Sequence, residues 1–151
     1  MEYKIFESSD TNVKKFVFEF DEPKAIAETV LYRYGEYRKR TVICCSVQSG
    51  CNVGCVFCGT GKFFVRNLSR FEIIRQIEVA LSTIDCDTRD IEKFQIMFMS
   101  MGEPMDNFVE VEDAIFKLAI KYPNYLYQLP HQLLPIGIGV GSLVCQKLYP
   151  K

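Results

Sequence analysis

The sequence predicts an α/β fold, an amino-terminal β-hairpin followed by strand–helix–strand–helix alternation, and three observations carry that reading. Two compact apolar runs, TVICCSVQ (41–48) and KFQIMFMSM (93–101), have the continuous hydrophobicity of strands buried on both faces. Each is followed by a segment with a helical apolar stripe, 69–84 and 108–122. The first twenty residues hold two short runs rich in aromatic and β-branched residues, separated by SSDTN. Alternation of this kind is the pattern of parallel α/β sheets, whose active groups gather at the carboxyl ends of strands.

Residues 3–6 and 15–20 (KFVFEF) read as the two strands of the hairpin, with SSDTN as the turn. AIAETVLYRY, ending at Gly35, reads as a third strand or a short helix, its TVLY portion favouring the strand. The run 41–48 leads into a loop holding Gly50, Gly54, Gly59 and Gly61. In SRFEIIRQIEVALSTI, Ser69 caps the helix with Glu72 three residues on, and Ile73, Ile74, Ile77, Ala80, Leu81 and Ile84 form its stripe. After the run 93–101, the turn GEPMDN enters the second helix, FVEVEDAIFKLAIKY. From Tyr122 onward no period persists, and residues 129–151 are a poorly specified tail behind an organised unit at 1–128.

The 151 residues carry 18 basic and 19 acidic side chains, a net charge of −1, which excludes a strongly cationic nucleic-acid binder and leaves room for a local basic patch. All the acids lie at or before Asp113. MEYKIFESSD is charged throughout and has no apolar core of signal-peptide length; LLPIGIGVGSLV is too short to span a bilayer. The expectation is a cytoplasmic protein without a membrane partner. Its seven cysteines then read as ligands or redox groups rather than disulfides.

Three of them, Cys51, Cys55 and Cys58, form CNVGCVFC. A 4Fe–4S cube normally takes four thiolates. Three thiolates in one loop leave one iron open to chelate a small molecule, which is the requirement for reductive cleavage of S-adenosylmethionine. The glycines let the backbone wrap the cluster closely, and Phe57 places an aromatic beside it. The rival reading is a zinc site using Cys55 and Cys58 with two of Cys44, Cys45 and Cys51.

The stretch AETV … TVICCSVQSGCNVGCVFCGTGK … RNLS … EIIRQI … MFMSMGEPMDN resembles, within the radical S-adenosylmethionine superfamily, the RNA (adenine-C2) methyltransferases and their C8-methylating antibiotic-resistance relatives. The likeness covers about residues 3–128. It implies a partial radical-SAM (β/α) barrel, incomplete at the carboxyl terminus, in a chain truncated at both ends relative to the family. It also implies a 4Fe–4S cluster on Cys51, Cys55 and Cys58, and S-adenosylmethionine held at Gly102 and Glu103. Cys44 takes the place of the cysteine that resolves the enzyme–RNA intermediate by forming a disulfide; Glu28 takes that of an active-site proton acceptor. The implied partners are rRNA or tRNA and an electron donor such as flavodoxin or ferredoxin. From residue type alone, Cys44 is a buried strand thiol and Glu28 a solvated glutamate.

The resemblance stops before a methyl-carrying cysteine near the carboxyl terminus, and Cys145 does not sit in the matching context. An inactive remnant is therefore a second reading, and a small zinc-binding interaction module a third. Arg33, Arg38, Lys39 and Arg40, with Tyr34 and Tyr37, form either an RNA-phosphate contact or a solvated loop; Lys62, Arg66 and Arg70 flank the cysteine loop with the same two readings. His131 is an incidental tail residue, and Met97, Met99, Met101 and Met105 line core and pocket.

Overall fold

In a computed structural model of the chain, residues 1–21, 24–123, 125–129 and 132–134 are described. Strands β1 (Glu2–Glu7) and β2 (Val13–Phe20) form the expected hairpin, and β3 (Ala25–Arg33) continues it antiparallel. Alternation of buried and open residues along β2 and β3 puts Phe16, Phe18, Phe20, Ala25, Ala27, Thr29 and Leu31 on one face. β4 (Thr41–Cys44) pairs antiparallel with β3 and parallel with β7 (Phe94–Met97), which pairs parallel with β8 (Leu126–Leu129). β9 (Gln132–Leu134) returns antiparallel to β8, so the sheet runs β1-β2-β3-β4-β7-β8-β9. Two further strands, β5 (Gln48–Gly50) and β6 (Phe64–Asn67), form a separate antiparallel pair.

The fold is mixed α/β, as expected, but its sheet is mainly antiparallel: among the described residues, parallel pairing is confined to β4, β7 and β8. The run 41–48 is not one strand. It leaves the sheet after Cys44, because the Cys45 N–H donates to the Met97 carbonyl (2.8 Å) and the Val47 N–H to the Met101 carbonyl (2.8 Å), turning the chain towards the next loop. The second run likewise ends as a strand at Met97. Beyond Tyr122, β8 forms where no element is expected, and β9 lies within the stretch 129–151; Cys145 lies outside the described residues, and so does His131.

Helix α1 (Arg70–Leu81) has the predicted capping box: the Ser69 hydroxyl accepts from the Glu72 N–H and the Glu72 carboxylate accepts from the Ser69 N–H (2.8 Å). With α2 (Phe108–Lys121), it covers the face bearing Phe16, Leu31, Ile43 and Ile96, and these side chains share one core with Ile73, Ile77, Val111, Ile115 and Leu118. Among the described residues no helix is long and apolar enough to cross a membrane.

Candidate functional site

Among the described residues, no helix lies on the opposite face of the sheet. Register places Glu28, Val30 and Tyr32 of β3 there, with Lys15 and Val17 of β2, Cys44 of β4 directly across from Val30, and Met97 of β7 directly across from Cys44. These residues are half-buried, whereas their chain neighbours Phe16, Thr29, Leu31, Ile43 and Ile96 are buried. The structure therefore brings Glu28 and Cys44 onto one open surface. Glu28 is held through its backbone, its N–H donating to Ser46 Oγ (3.0 Å) and its carbonyl accepting from the same hydroxyl (2.6 Å). Its carboxylate pairs with Lys15 Nζ at 2.8 Å. Burial pushes the Cys44 thiol up, against a smaller opposing effect of the Met99 backbone.

At the carboxyl ends of the adjacent parallel strands β4 and β7 stand the cysteine loop and the GEP turn. The loop is closed at its neck by β5 and β6, where Gln48 faces Asn67 and Ser49 faces Arg66, and by the Cys51 N–H donating to the Phe63 carbonyl (2.8 Å). Gly50 is needed at that neck: its φ is +81° and a Cβ would stand 2.2 Å from the Phe63 carbonyl oxygen. The Cys58 N–H donates to the Cys55 carbonyl (3.0 Å), turning the chain between the last two thiols. Hydrogen bonds from the Gly61 and Thr60 backbone and the Thr60 hydroxyl hold the Cys58 thiol below its ordinary range.

Cys51, Cys55 and Cys58 are all partly exposed, and between them Phe57 projects outward, 90% exposed. In kind this donor set fits an iron–sulfur cluster: three accessible thiols on one glycine-hinged loop, one of them biased towards thiolate. Among the described residues no three His, Cys, Asp or Glu side chains are grouped as metal ligands, so the thiols are not drawn together as they stand. The zinc alternative loses a donor, because Cys45 is fully buried in the core and its thiol is pushed well up by that burial.

The GEP turn packs against the neck. Gly102 has φ +99°, and a Cβ there would come within 2.6 Å of Gln48 Cβ. The Glu103 N–H donates to Gln48 Oε1 (2.9 Å), and Glu103 Oε1 accepts from the Met105 N–H (3.1 Å) as the cap of a short 3₁₀ turn, Pro104–Asn107. Asn107 then donates to both the Val47 carbonyl (2.7 Å) and the Leu68 carbonyl (2.8 Å). Beneath, Gln76 of α1 accepts from the Thr29 hydroxyl (2.8 Å) and the Ser46 N–H (3.1 Å) and donates to the Ser46 carbonyl (3.1 Å). Sequence reasoning missed Gln48, Gln76 and Asn107; the available signal was an amide at the end of an apolar run, on an apolar helix stripe and just before a helix.

Two of the cations flanking the cysteine loop, Arg66 and Arg70, have partners. Arg66 makes a two-pronged pair with Glu72 (2.9 and 2.7 Å), and Arg70 pairs with Asp113. Arg33 donates to Thr11 Oγ1 (2.6 Å) and lies over the Tyr37 ring, while Arg40 lies over Tyr34.

Comparison with known proteins finds relatives of one kind. A dual-specificity RNA methyltransferase RlmN of Marinobacter nauticus is 40% identical over 111 residues, matching 72% of this chain. The chain is similar to part of an RlmN-type RNA methyltransferase. A relative named probable dual-specificity RNA methyltransferase RlmN, from Dictyoglomus turgidum, is 37% identical over an alignment taking in 89% of the chain. The crystal structure of a radical SAM methyltransferase from Sphaerobacter thermophilus superposes with a TM-score of 0.65 at 31% identity, covering 77% of this chain and 33% of that one. The chain spans 29% and 42% of the length of the two curated relatives. No family model matches it.

Proposed function

We propose that this chain is the cofactor-binding part of a radical S-adenosylmethionine RNA methyltransferase of the adenine-C2 type, acting on rRNA or tRNA, with its strands belonging to a partial (β/α) barrel. The observation that carries the reading is the adjacency of the cysteine loop and the GEP turn at the carboxyl ends of β4 and β7, over a sheet face bearing Glu28 and Cys44. Cys51, Cys55 and Cys58 would hold a 4Fe–4S cluster, which supplies one electron, drawn from a flavodoxin or ferredoxin, to the sulfonium carbon–sulfur bond of S-adenosylmethionine.

This chain's own residues do the rest. Glu103 accepts from the ammonium of the methionyl group, beside Gly102, whose lack of a side chain lets the turn pack on Gln48. The Cys58 hydrogen bonds favour the thiolate form that ligation requires. Glu28, once released from Lys15, is placed to accept a proton on its carboxylate, and the burial of Cys44 on the same face favours its neutral thiol.

Anaerobic reconstitution with iron and sulfide tests the ligand assignment. The parent chain is expected to take up iron and sulfide with the broad visible absorbance of a cluster, and Cys51→Ser, Cys55→Ser and Cys58→Ser each to lose it, whereas Cys86→Ser keeps it. A chain that takes up zinc in preference, or a Cys55→Ser chain that retains the absorbance, contradicts the proposal.

A further inference from the structure

Resting on that reading of Gly102 and Glu103, we propose that Gln48 is the positioning residue of the cofactor site: its buried amide shapes the turn that presents Glu103 and locks this turn to the neck of the cysteine loop. Gln48 is fully buried, and a primary amide out of water is tolerated only when its donors and acceptor are met. Its Oε1 takes the Glu103 N–H at 2.9 Å, and its Nε2 donates to Asn67 Oδ1 at 2.8 Å. Asn67 in turn donates from Nδ2 to the Asp106 carbonyl at 3.0 Å. The relay begins at a backbone N–H and ends at a backbone carbonyl, groups of fixed polarity, so the orientation of both amides is determined by its ends.

The same residue holds the turn from its backbone. The Gln48 N–H donates to the Met101 carbonyl (3.2 Å), and Gly102 lies so close that a Cβ would meet Gln48 Cβ, Cγ and N within 2.8 Å. Gln48 thus holds residue 101 through its backbone, crowds residue 102 with backbone and side chain, and sets residues 103 and 106 through its side-chain amide, directly or by way of Asn67. A residue of similar bulk without an amide would fill the space and leave the Glu103 N–H without its acceptor. Gln48 acts through Glu103 and does not itself touch the cofactor.

The test is Gln48→Met in the full chain, which keeps the length of the side chain and removes both hydrogen bonds. In the apo chain the Glu103 amide is expected to exchange its hydrogen about tenfold faster, as loss of one buried hydrogen bond would give, while the Leu118 amide in α2 is unchanged. After reconstitution the cluster content per chain is expected to match the parent, and the dissociation constant for S-adenosylmethionine to rise about tenfold. A residue that serves packing alone would lower the melting temperature without moving either readout. Asn67→Ala, at an exposed position, cuts the relay at its second link and is expected to give the same shifts at about threefold, so the inference is still tested if Gln48→Met does not fold. Unchanged exchange at Glu103 together with unchanged cofactor affinity in a folded variant overturns the role of Gln48. A cluster-bearing parent that binds no S-adenosylmethionine overturns instead the reading of Gly102 and Glu103 on which it rests.

Discussion

The two faces of one sheet are built from alternate residues of the same strands, and they differ in how far most of their side chains are buried and in the ionisable groups they carry. Under the helices, Phe16, Phe18, Leu31, Ile43 and Ile96 are buried to within a few per cent and meet α1 and α2 in a continuous core. On the other side, Lys15, Glu28, Tyr32, Cys44 and Met97 stand half-open, polar or polarisable, and hold their positions through backbone pairing. The strands draw their stability from the first face, which leaves the second free to carry ionisable groups that would be costly in a core. The cysteine loop and GEP turn sit at the rim where the two faces end.

That division can be broken from the covered side with the largest effect. Phe16→Ala is expected to destabilise the chain by about 3–5 kcal/mol, measured as a shift of the urea midpoint, because it opens a cavity in the core. Cys44→Ala, across the sheet on β4, is expected to cost less than about 1.5 kcal/mol in the same assay. Equal losses would mean that the open face is as much a core as the other.

A smaller effect comes from the polar joint between the faces. Gln76→Ala leaves the Thr29 hydroxyl and the Ser46 N–H and carbonyl without their partner in a buried setting, and about 2–3 kcal/mol is expected to be lost. Ser69→Ala, which removes the cap of α1 at the margin of the same face, is expected to cost about 1 kcal/mol.

The thiols sharpen the comparison without altering stability. Only the thiolate is alkylated, so a thiol held below its ordinary range reacts at lower pH than one pushed up. With iodoacetamide near neutral pH, read by peptide mass spectrometry, Cys58 on the rim is expected to be modified first, Cys44 on the open face later and only as the pH rises, and Cys45 in the core last. Modification of Cys45 ahead of Cys44 would contradict the assignment of faces.

What was legible in the sequence follows the same line. The hairpin, the Ser69–Glu72 cap and both helices were readable because their signals are local: alternation, a capping pair, a 3.6-residue stripe. The end of β4 was not, since TVICCSVQ is apolar throughout and only hydrogen bonds to Met97 and Met101, more than fifty positions away, turn it out of the sheet. β8 was hidden because four residues between Pro123 and Pro130 carry too little pattern, and its place comes from pairing with β7. Of the site, CNVGCVFC could be picked out by its spacing and the GEP turn by its place after an apolar run, its cofactor role being implied only by the family resemblance, while the amides that join them could not be picked out. Gln48, Gln76 and Asn107 are recognisable only by being buried with their hydrogen bonds met.

The central claim is that the cysteine loop and the GEP turn form one cofactor site, and electron paramagnetic resonance of the reconstituted, reduced chain tests it most directly. A cluster signal that changes on addition of S-adenosylmethionine, and no longer changes in Glu103→Ala, is the predicted result. A cluster signal indifferent to S-adenosylmethionine, or no cluster at all, would contradict it and leave a chain that has the family's sequence pattern without its chemistry.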